Sequence, residues 1–343
     1  MKTFTIASNQ GEVAGGEVML LQLADAARDL GRSVTVVGPD SPGELCDLAA
    51  EQGHQVVRVP GAGPAAYLRG LRRWDRAHRR GLLWCNGLRP AFATAGRPGR
   101  VVHLHQSPTG ANALLARVAR RGALATVVPS RATARTVDGA VVLPNWSPAA
   151  VRAPRPLGEP VVLGFLGRLS PDKGVDVLGV AVQELLRRTP DRYRLLLAGE
   201  SRFVPAKEAA KVDAALAPLG DAVQRAGWMD RQHFFDAVDL AVFPSVWQEP
   251  FGLVAGEAMA ARVPFVVSDA GALPEVVGPD YPWTARRSDP SDLADVIERA
   301  LAAPRDEIVE RSYHRWLQHF SPDAGRAALA ALLAQLDPEG GGS

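Results

Sequence analysis

Apolar residues in the first 150 positions follow two alternating patterns. Residues 3–7 (TFTIA), 33–37 (SVTVV), Gln55–Val59 (QVVRV), 82–85 (LLWC), 101–104 (VVHL), Ala125–Val128 (ATVV) and 141–143 (VVL) are short, β-rich apolar runs. Residues 17–30 and a stretch near 43–52 instead carry apolar residues at the spacing of a helix face. Buried-type strands alternating with helices predict a parallel sheet covered on both faces. The pattern breaks at 147–160, SPAAVRAPRPLGEP, where four prolines make a semi-rigid linker. It then restarts, with strands expected at 161–165, Tyr193–Ala198, Leu240–Phe243 and 264–268. Helices are expected at Val175–Arg188, Ala206–Leu216, 230–237 and 252–261. The predicted class is α/β, with two Rossmann-like, doubly wound domains, 1–150 and 151–321, and an active cleft between them. The alanine-rich helix Pro322–Leu336 is expected to pack back on the first domain, and 339–343 to be disordered.

Composition narrows the function. The chain has 343 residues, enough for two domains, and 47% of them are apolar, enough for a sizeable core. A net charge of +2 argues against a dedicated nucleic-acid binder. Only four of its cations are lysines, a bias that fits a GC-rich bacterial genome. Cys46 and Cys85 are the only cysteines and form no CxxC, which disfavours a disulfide scaffold or zinc cluster and fits a reducing cytoplasm. The start, MKTFTIASNQ, lacks an apolar run long enough for a signal peptide, and no stretch approaches a membrane span. A cytoplasmic protein is expected.

Ligands of such sheets sit outside the carboxyl ends of strands, so strand-to-helix loops are where chemistry is sought. Arg168 and Lys173 share one such loop, GRLSPDKG, and two cations there suit a diphosphate. Arginine is common in this chain and Arg168 alone reads as an incidental charge. Lysine is rare, which makes Lys173 harder to dismiss. The GxxxxGK[ST] order of a phosphate-binding loop is absent. In QEPFGLVAGE, Glu249 stands at or just before a helix N-terminus whose free N–H groups, at Gly252, Leu253 and Val254, favour an anion. The plainer alternative is that Glu249 caps the helix. Glu257 falls inside the helix, roughly 10–12 Å further along the axis. Glycosidase carboxylate pairs are closer, at ~5–9.5 Å, so two contacts along one extended ligand fit better than an acid pair on one bond.

GRLSPDKG, AGE (198–200), AGW (226–228) and FPSVWQEPFGLVAGEAMAARVPFVVSDAGALPEVVG together resemble the second domain of retaining family-4 glycosyltransferases of the GT-B fold. Glu249 and Glu257 match that family's Glu-x7-Glu signature. The first domain is similar through GEVAGGE, VVHLHQS, VVPS and LPNW. The resemblance implies a nucleotide-diphosphate sugar donor, UDP favoured over GDP, and transfer to a hydroxyl of a small-molecule, lipid-linked or glycan acceptor. It implies that Arg168 and Lys173 hold the diphosphate, that Glu249 binds the transferred sugar, and that Glu257 binds the ribose. The amides of Phe251, Gly252, Leu253 and Val254 would meet sugar and phosphate, and Trp228 the base, mainly through its backbone. Gly15 and Gly16 would let the first helix approach the diphosphate. His105 would lie near the reacting sugar and acceptor. His103, two residues away and facing the same side of an extended strand, competes for that role, and Asn86 is a further acceptor-side candidate.

The sequence departs from the family where Arg262 stands in place of the usual glycine, at a cost on the order of 1 kcal/mol for a left-handed residue, and a local adjustment is expected. No Asp-x-Asp occurs, so no metal is expected and the diphosphate must be neutralised by Arg168, Lys173 and helix dipoles. The rivals are a GT-B epimerase or hydrolase, and a nucleotide-sugar-binding partner without catalysis. YLRGLRRWDRAHRR, 67–80, resembles a membrane-surface helix, so peripheral membrane contact stays open. Its short apolar stripe favours an exposed, arginine-rich helix instead. Trp283 and Trp316 read as packing residues.

Overall fold

A computed structural model of the chain describes residues 2–61, 63–153, 156–202 and 204–336. They fall into two compact units: the first runs to Trp146 and takes up the last helix from Pro322, and the second is Ser147–Ser321. The boundary comes at Trp146, a few residues before the 150 read from the linker prolines. Pro154 and Arg155 of that linker, and 339–343, lie outside the described residues.

The first unit holds a seven-stranded parallel sheet in the order β3-β2-β1-β4-β5-β6-β7. Its strands are β1 (Thr3–Ser8), β2 (Ser33–Pro39), β3 (Gln55–Val59), β4 (Leu82–Asn86), β5 (Arg100–His103), β6 (Ala125–Val128) and β7 (Val141–Val142). Its helices are α1 (Gly15–Asp29), α2 (Glu44–Glu51), α3 (Gly63–Ala77), α4 (Leu88–Ala93), α5 (Ala111–Ala119) and α6 (Arg131–Ala134). Alternate strand residues feed two separate cores. Phe4, Ile6, Trp84 and Val101 join one cluster, while Ala7, Leu83, Cys85 and Val102 join the other. That period of two places helices on both faces, as the near-continuous apolar strands require.

The second unit repeats the plan with six parallel strands in the order β10-β9-β8-β11-β12-β13. They are β8 (Val161–Leu166), β9 (Tyr193–Ala198), β10 (Val223–Gly227), β11 (Leu240–Phe243), β12 (Phe265–Ser268) and β13 (Thr284–Ala285). Its helices are α7 (Val175–Arg188), α8 (Ala206–Leu216), α9 (Arg231–Ala237), α10 (Leu253–Ala260), α11 (Leu273–Val277), α12 (Pro290–Ala302) and α13 (Asp306–His319). Trp283 and Trp316 are buried in its core, and the Trp316 indole donates to Ser147 Oγ at 3.1 Å. The final helix, α14 (Pro322–Leu336), belongs to the first unit. There it lays Leu329, Leu332 and Leu333 into the cluster that holds Met19, Leu20 and Leu23 of α1. Arg326 reaches Asp29 at 3.2 Å, and Gly325 lies against the Trp146 ring so closely that a Cβ would meet it at 2.2 Å.

Three local outcomes bear on the expectations. The first helix starts at Gly15, not at residue 17, so both glycines of the pair sit in its first turn. Arg262 adopts the left-handed conformation, φ 52°, and closes α10 as glycine would. Its N–H donates to the Met259 oxygen, and that of Val263 to the Ala258 oxygen. The strain is offset by α13: Arg262 pairs with Glu310 at 3.0 Å and stacks 3.7 Å above the Tyr313 ring. In α3, Tyr67 and Leu71 are buried in the core, Trp74 packs against it, and Arg69, Arg73 and Arg76 are exposed. The apolar stripe of that helix is therefore spent inside the unit. No described helix is long and apolar enough to cross a membrane.

Candidate active site

Each sheet reverses its strand order once, between β1 and β4 in the first unit and between β8 and β11 in the second. Loops that leave a sheet at such a point splay apart and leave room for a ligand. Gly15, Gly16 and Asn86 lie at or after β1 and β4, and Arg168, Lys173 and Glu249 follow β8 and β11, whereas His105 follows β5 and Trp228 follows β10.

In the second unit the loop after β8 carries Arg168 and Lys173, and the loop after β11 leads to Glu249. The main chain ties the two together, because the Asp172 oxygen accepts the N–H groups of Val246 and Trp247 at 3.0 and 3.2 Å. Gly174, at φ 72°, is where the first loop turns into α7. A Cβ there would stand 1.9 Å from the Pro244 oxygen, so only glycine permits this approach. Lys173 Nζ consequently lies 2.5 Å from Glu249 Oε1, and Ser245 Oγ donates to the same oxygen at 2.5 Å. Glu249 is buried, held from behind where the Ala272 N–H donates to its main-chain oxygen at 2.8 Å.

Arg168 pairs with Asp172 at 2.5 Å and donates to Ser170 at 3.3 Å. Burial alone would raise the Asp172 carboxyl, but hydrogen bonds from Ser170 and Arg168 and the charges of Arg168 and Lys173 leave it below its ordinary value. The site thus holds two cations and two carboxylates in alternation. Glu249 does not cap α10. The helix starts at Leu253 after Gly252, and no side chain caps it; the Ala255 N–H donates to the Gly252 oxygen at 3.0 Å, and a helix start of this kind favours an anion. Phe251 is buried, its ring packed edge-on against that of Phe320.

Glu257 is buried inside α10, and its one ion-pair partner among the described residues is Arg231 Nε at 2.7 Å. Burial pushes its carboxyl up, and Arg231 pulls it part of the way back. Trp228 is 79% exposed and stands beside the left-handed Gly227. Arg231, Ser245, Ser170 and Asp172 were not legible beforehand. An arginine among many, or a loop serine, carries no sequence signal, although Ser245 does stand one helical turn's spacing before Glu249.

In the first unit, Asn86 ends β4 and bridges α1 to the segment that follows β5. Its Nδ2 donates to the Gly16 oxygen at 2.9 Å, and its Oδ1 faces His105 Nε2 at 2.9 Å. Because Oδ1 can only accept, His105 carries its proton on Nε2. Trp84 Nε1 donates to His103 Nδ1 at 3.3 Å, which puts the His103 proton on Nε2, a buried atom without a described partner. The two imidazoles lie 4.1 Å apart, so both do face one side. His103 is committed to the core by Trp84, and His105 is the more accessible of the two. Desolvation pushes His105 down to about 4, so it is neutral near pH 7. Gly16 faces the His105 ring, where a Cβ would lie 3.4 Å away, whereas Gly15 is exposed.

Glu17, the last residue of GEVAGGE, stands in the first turn of α1 and adds a group to which the motif assigned no role. Burial pushes its carboxyl up to about 7, against the pull of backbone N–H groups and of Gln10, whose Nε2 lies 3.4 Å away. The folded value exceeds the unfolded 4.5, so the fold holds a proton that the unfolded chain releases between these values. Stability contributed by Glu17 is present below about pH 4.5 and is lost as pH rises through 7, by roughly 3 kcal/mol in total. Melting curves at pH 5 and pH 8 should show wild type losing more stability over that interval than Glu17→Gln. Equal losses would contradict the assignment.

No group of three or more His, Cys, Asp or Glu among the described residues is arranged to hold a metal ion.

Residues 160–303 match the family described as glycosyl transferases group 1. The D-inositol 3-phosphate glycosyltransferase of Saccharomonospora viridis is 33% identical over 201 residues, 54% of this chain and 46% of the relative. That of Stackebrandtia nassauensis is 29% identical over 309 residues, 78% of this chain and 67% of the relative. The chain spans about half the length of the first of these. Among solved structures, the Anabaena protein HepE in complex with UDP and glucose superposes with a TM-score of 0.84 at 20% identity, over 97% of this chain and 100% of that one. Sucrose-phosphate synthase from Thermosynechococcus elongatus gives 0.81 at 20% identity, over 99% and 100%. At such identities the likeness concerns the fold, which is the two-domain GT-B arrangement of Rossmann-like units.

Proposed function

We propose that this chain, whose residues 160–303 carry a glycosyl transferases group 1 domain, moves a sugar from a nucleotide-diphosphate sugar to an acceptor hydroxyl with retention of configuration. The observation that carries the reading is the Lys173–Glu249 pair at the switch point of the second sheet, beside the uncapped start of α10. Arg168, Lys173 and the N–H groups at the starts of α7 and α10 meet the charge of the diphosphate. Glu249 meets the sugar and Glu257 the ribose. Trp228 and its loop meet the base. UDP is the favoured nucleotide, in keeping with the UDP held by the HepE structure.

The sugar–phosphate bond breaks as the acceptor oxygen approaches the same face, and the departing phosphate oxygen takes the proton of that hydroxyl. No side-chain nucleophile is invoked, and most of the rate comes from positioning and electrostatic stabilisation. His105, neutral and held by Asn86, lines the acceptor side with His103 behind it. A small polyol phosphate is the first acceptor to test, since the relatives are named for D-inositol 3-phosphate. Lipid-linked and glycan acceptors follow. Membrane contact through 67–80 would rest on its exposed arginines alone, because the apolar stripe is buried.

Thermal shift against UDP, GDP and their sugars tests the donor. At about a hundred times Kd a bound nucleotide adds roughly 2.7 kcal/mol, or about 5–10 °C for a domain of this size. No shift with any of them at millimolar concentration counts against the whole reading. Equal release of nucleotide with and without every acceptor tried favours a hydrolase, and binding with no turnover favours a non-catalytic partner.

A further inference from the structure

Glu249 has two carboxylate oxygens, and both donors found for them fall on one. Lys173 Nζ and Ser245 Oγ each reach Oε1 at 2.5 Å, while Oε2 has no donor among the described residues. Ser245 is itself buried and fixed, since the Ser268 hydroxyl donates to its main-chain oxygen at 2.6 Å. Behind the carboxylate, the Glu249 backbone is clamped by the loop after β12, through the Ala272 N–H and the close approach of Gly271. The rotation of the carboxylate is therefore set by Ser245 and Lys173 together.

These two donors differ in what a ligand does to them. The ammonium of a lysine side chain that is 30% exposed sits on a flexible stem and can turn toward an incoming diphosphate. A buried hydroxyl one turn's spacing from its carboxylate cannot follow. We infer that Ser245 is a positioning residue: it keeps Oε1 occupied when Lys173 turns to the diphosphate, and so holds Oε2 toward a hydroxyl of the transferred sugar. This rests on the donor reading above. Ser245 touches neither nucleotide nor sugar, and its effect belongs to the sugar half of the donor alone.

The test compares UDP with UDP-glucose by calorimetry, alongside the rate of UDP-glucose hydrolysis, for wild type, Ser245→Ala and Ser245→Thr. Ser245→Ala should leave the Kd of UDP within twofold and weaken UDP-glucose about tenfold or more, the scale of one hydrogen bond lost to a charged group. Hydrolysis should fall in step. Ser245→Thr, which keeps the hydroxyl, should recover most of both. If UDP and UDP-glucose weaken equally in Ser245→Ala, the serine only supports the loop and the inference is overturned. Unchanged UDP-glucose binding overturns it as well. Wild type that binds neither UDP nor UDP-glucose, nor any GDP-sugar, overturns the donor reading itself and this inference with it, a result separable from the other two.

Discussion

Lys173→Ala is expected to lower kcat/KM for the nucleotide-sugar donor by at least ~10²-fold, the scale of one lost oxyanion-type donor in an active site. The lysine supplies charge where the leaving diphosphate gathers it. It also neutralises Glu249, a carboxylate with 8% of its side chain exposed. Removing it leaves that carboxylate with Ser245 as its remaining described donor, so the phosphate loses its cation while the sugar contact rests on the serine alone. Lys173→Arg should recover little, because a planar fork does not replace a compact ammonium seated 2.5 Å from one oxygen. Steady-state kinetics on protein with unchanged melting behaviour checks this. Near-wild-type turnover in Lys173→Ala would sink the diphosphate assignment.

The second large effect comes from a residue with no side chain. Gly271 has φ 60°, and a Cβ on it would fall 2.2 Å from the Glu249 nitrogen and 2.3 Å from its oxygen. Gly271→Ala therefore combines left-handed strain of ~1–2 kcal/mol with overpacking of ~1–3 kcal/mol against backbone that cannot swing aside. A melting temperature lower by roughly 5–15 °C is expected in this unit. Activity should fall beyond what the lost stability explains, because the backbone that moves is that of Glu249. Gly220→Ala is the control: φ 49° and ψ −126° there cost an alanine ~1–3 kcal/mol of strain, but nothing lies within 4 Å of an added Cβ, so activity should fall no further than that lost stability explains. Equal effects of the two substitutions would show that the contact with Glu249 does not matter.

Much of this architecture is legible in residue patterns, and the exceptions have physical causes. Strands buried on both faces, such as Tyr193–Ala198 and Leu240–Phe243, announce themselves as apolar runs. Val223–Gly227 lies at a sheet edge with two exposed positions, and Thr284–Ala285 is too short for any period to emerge. The helix from Pro290 carries a start signal, with Asp289 accepting the Asp292 N–H and proline in the first turn. At the site, residue chemistry pointed to Lys173 and Glu249 separately. Their pairing spans 76 residues and exists because the topology sets β8 beside β11. Ser245 and Arg231 gain meaning only through what they touch.

The chain leaves the first unit at Trp146 and returns to it at Pro322, so the second unit is an insertion rather than an appended module. Its two ends meet: the Ser147 N–H donates to the Phe320 oxygen at 3.0 Å. If the second unit melts while α14 stays docked on α1, it becomes a tethered loop and not a free tail. Closing such a loop costs only about 0.6 kcal/mol more for each doubling of its length. Insertions within it are therefore tolerated far more cheaply than any loosening of the Gly325–Trp146 contact that pins its far end.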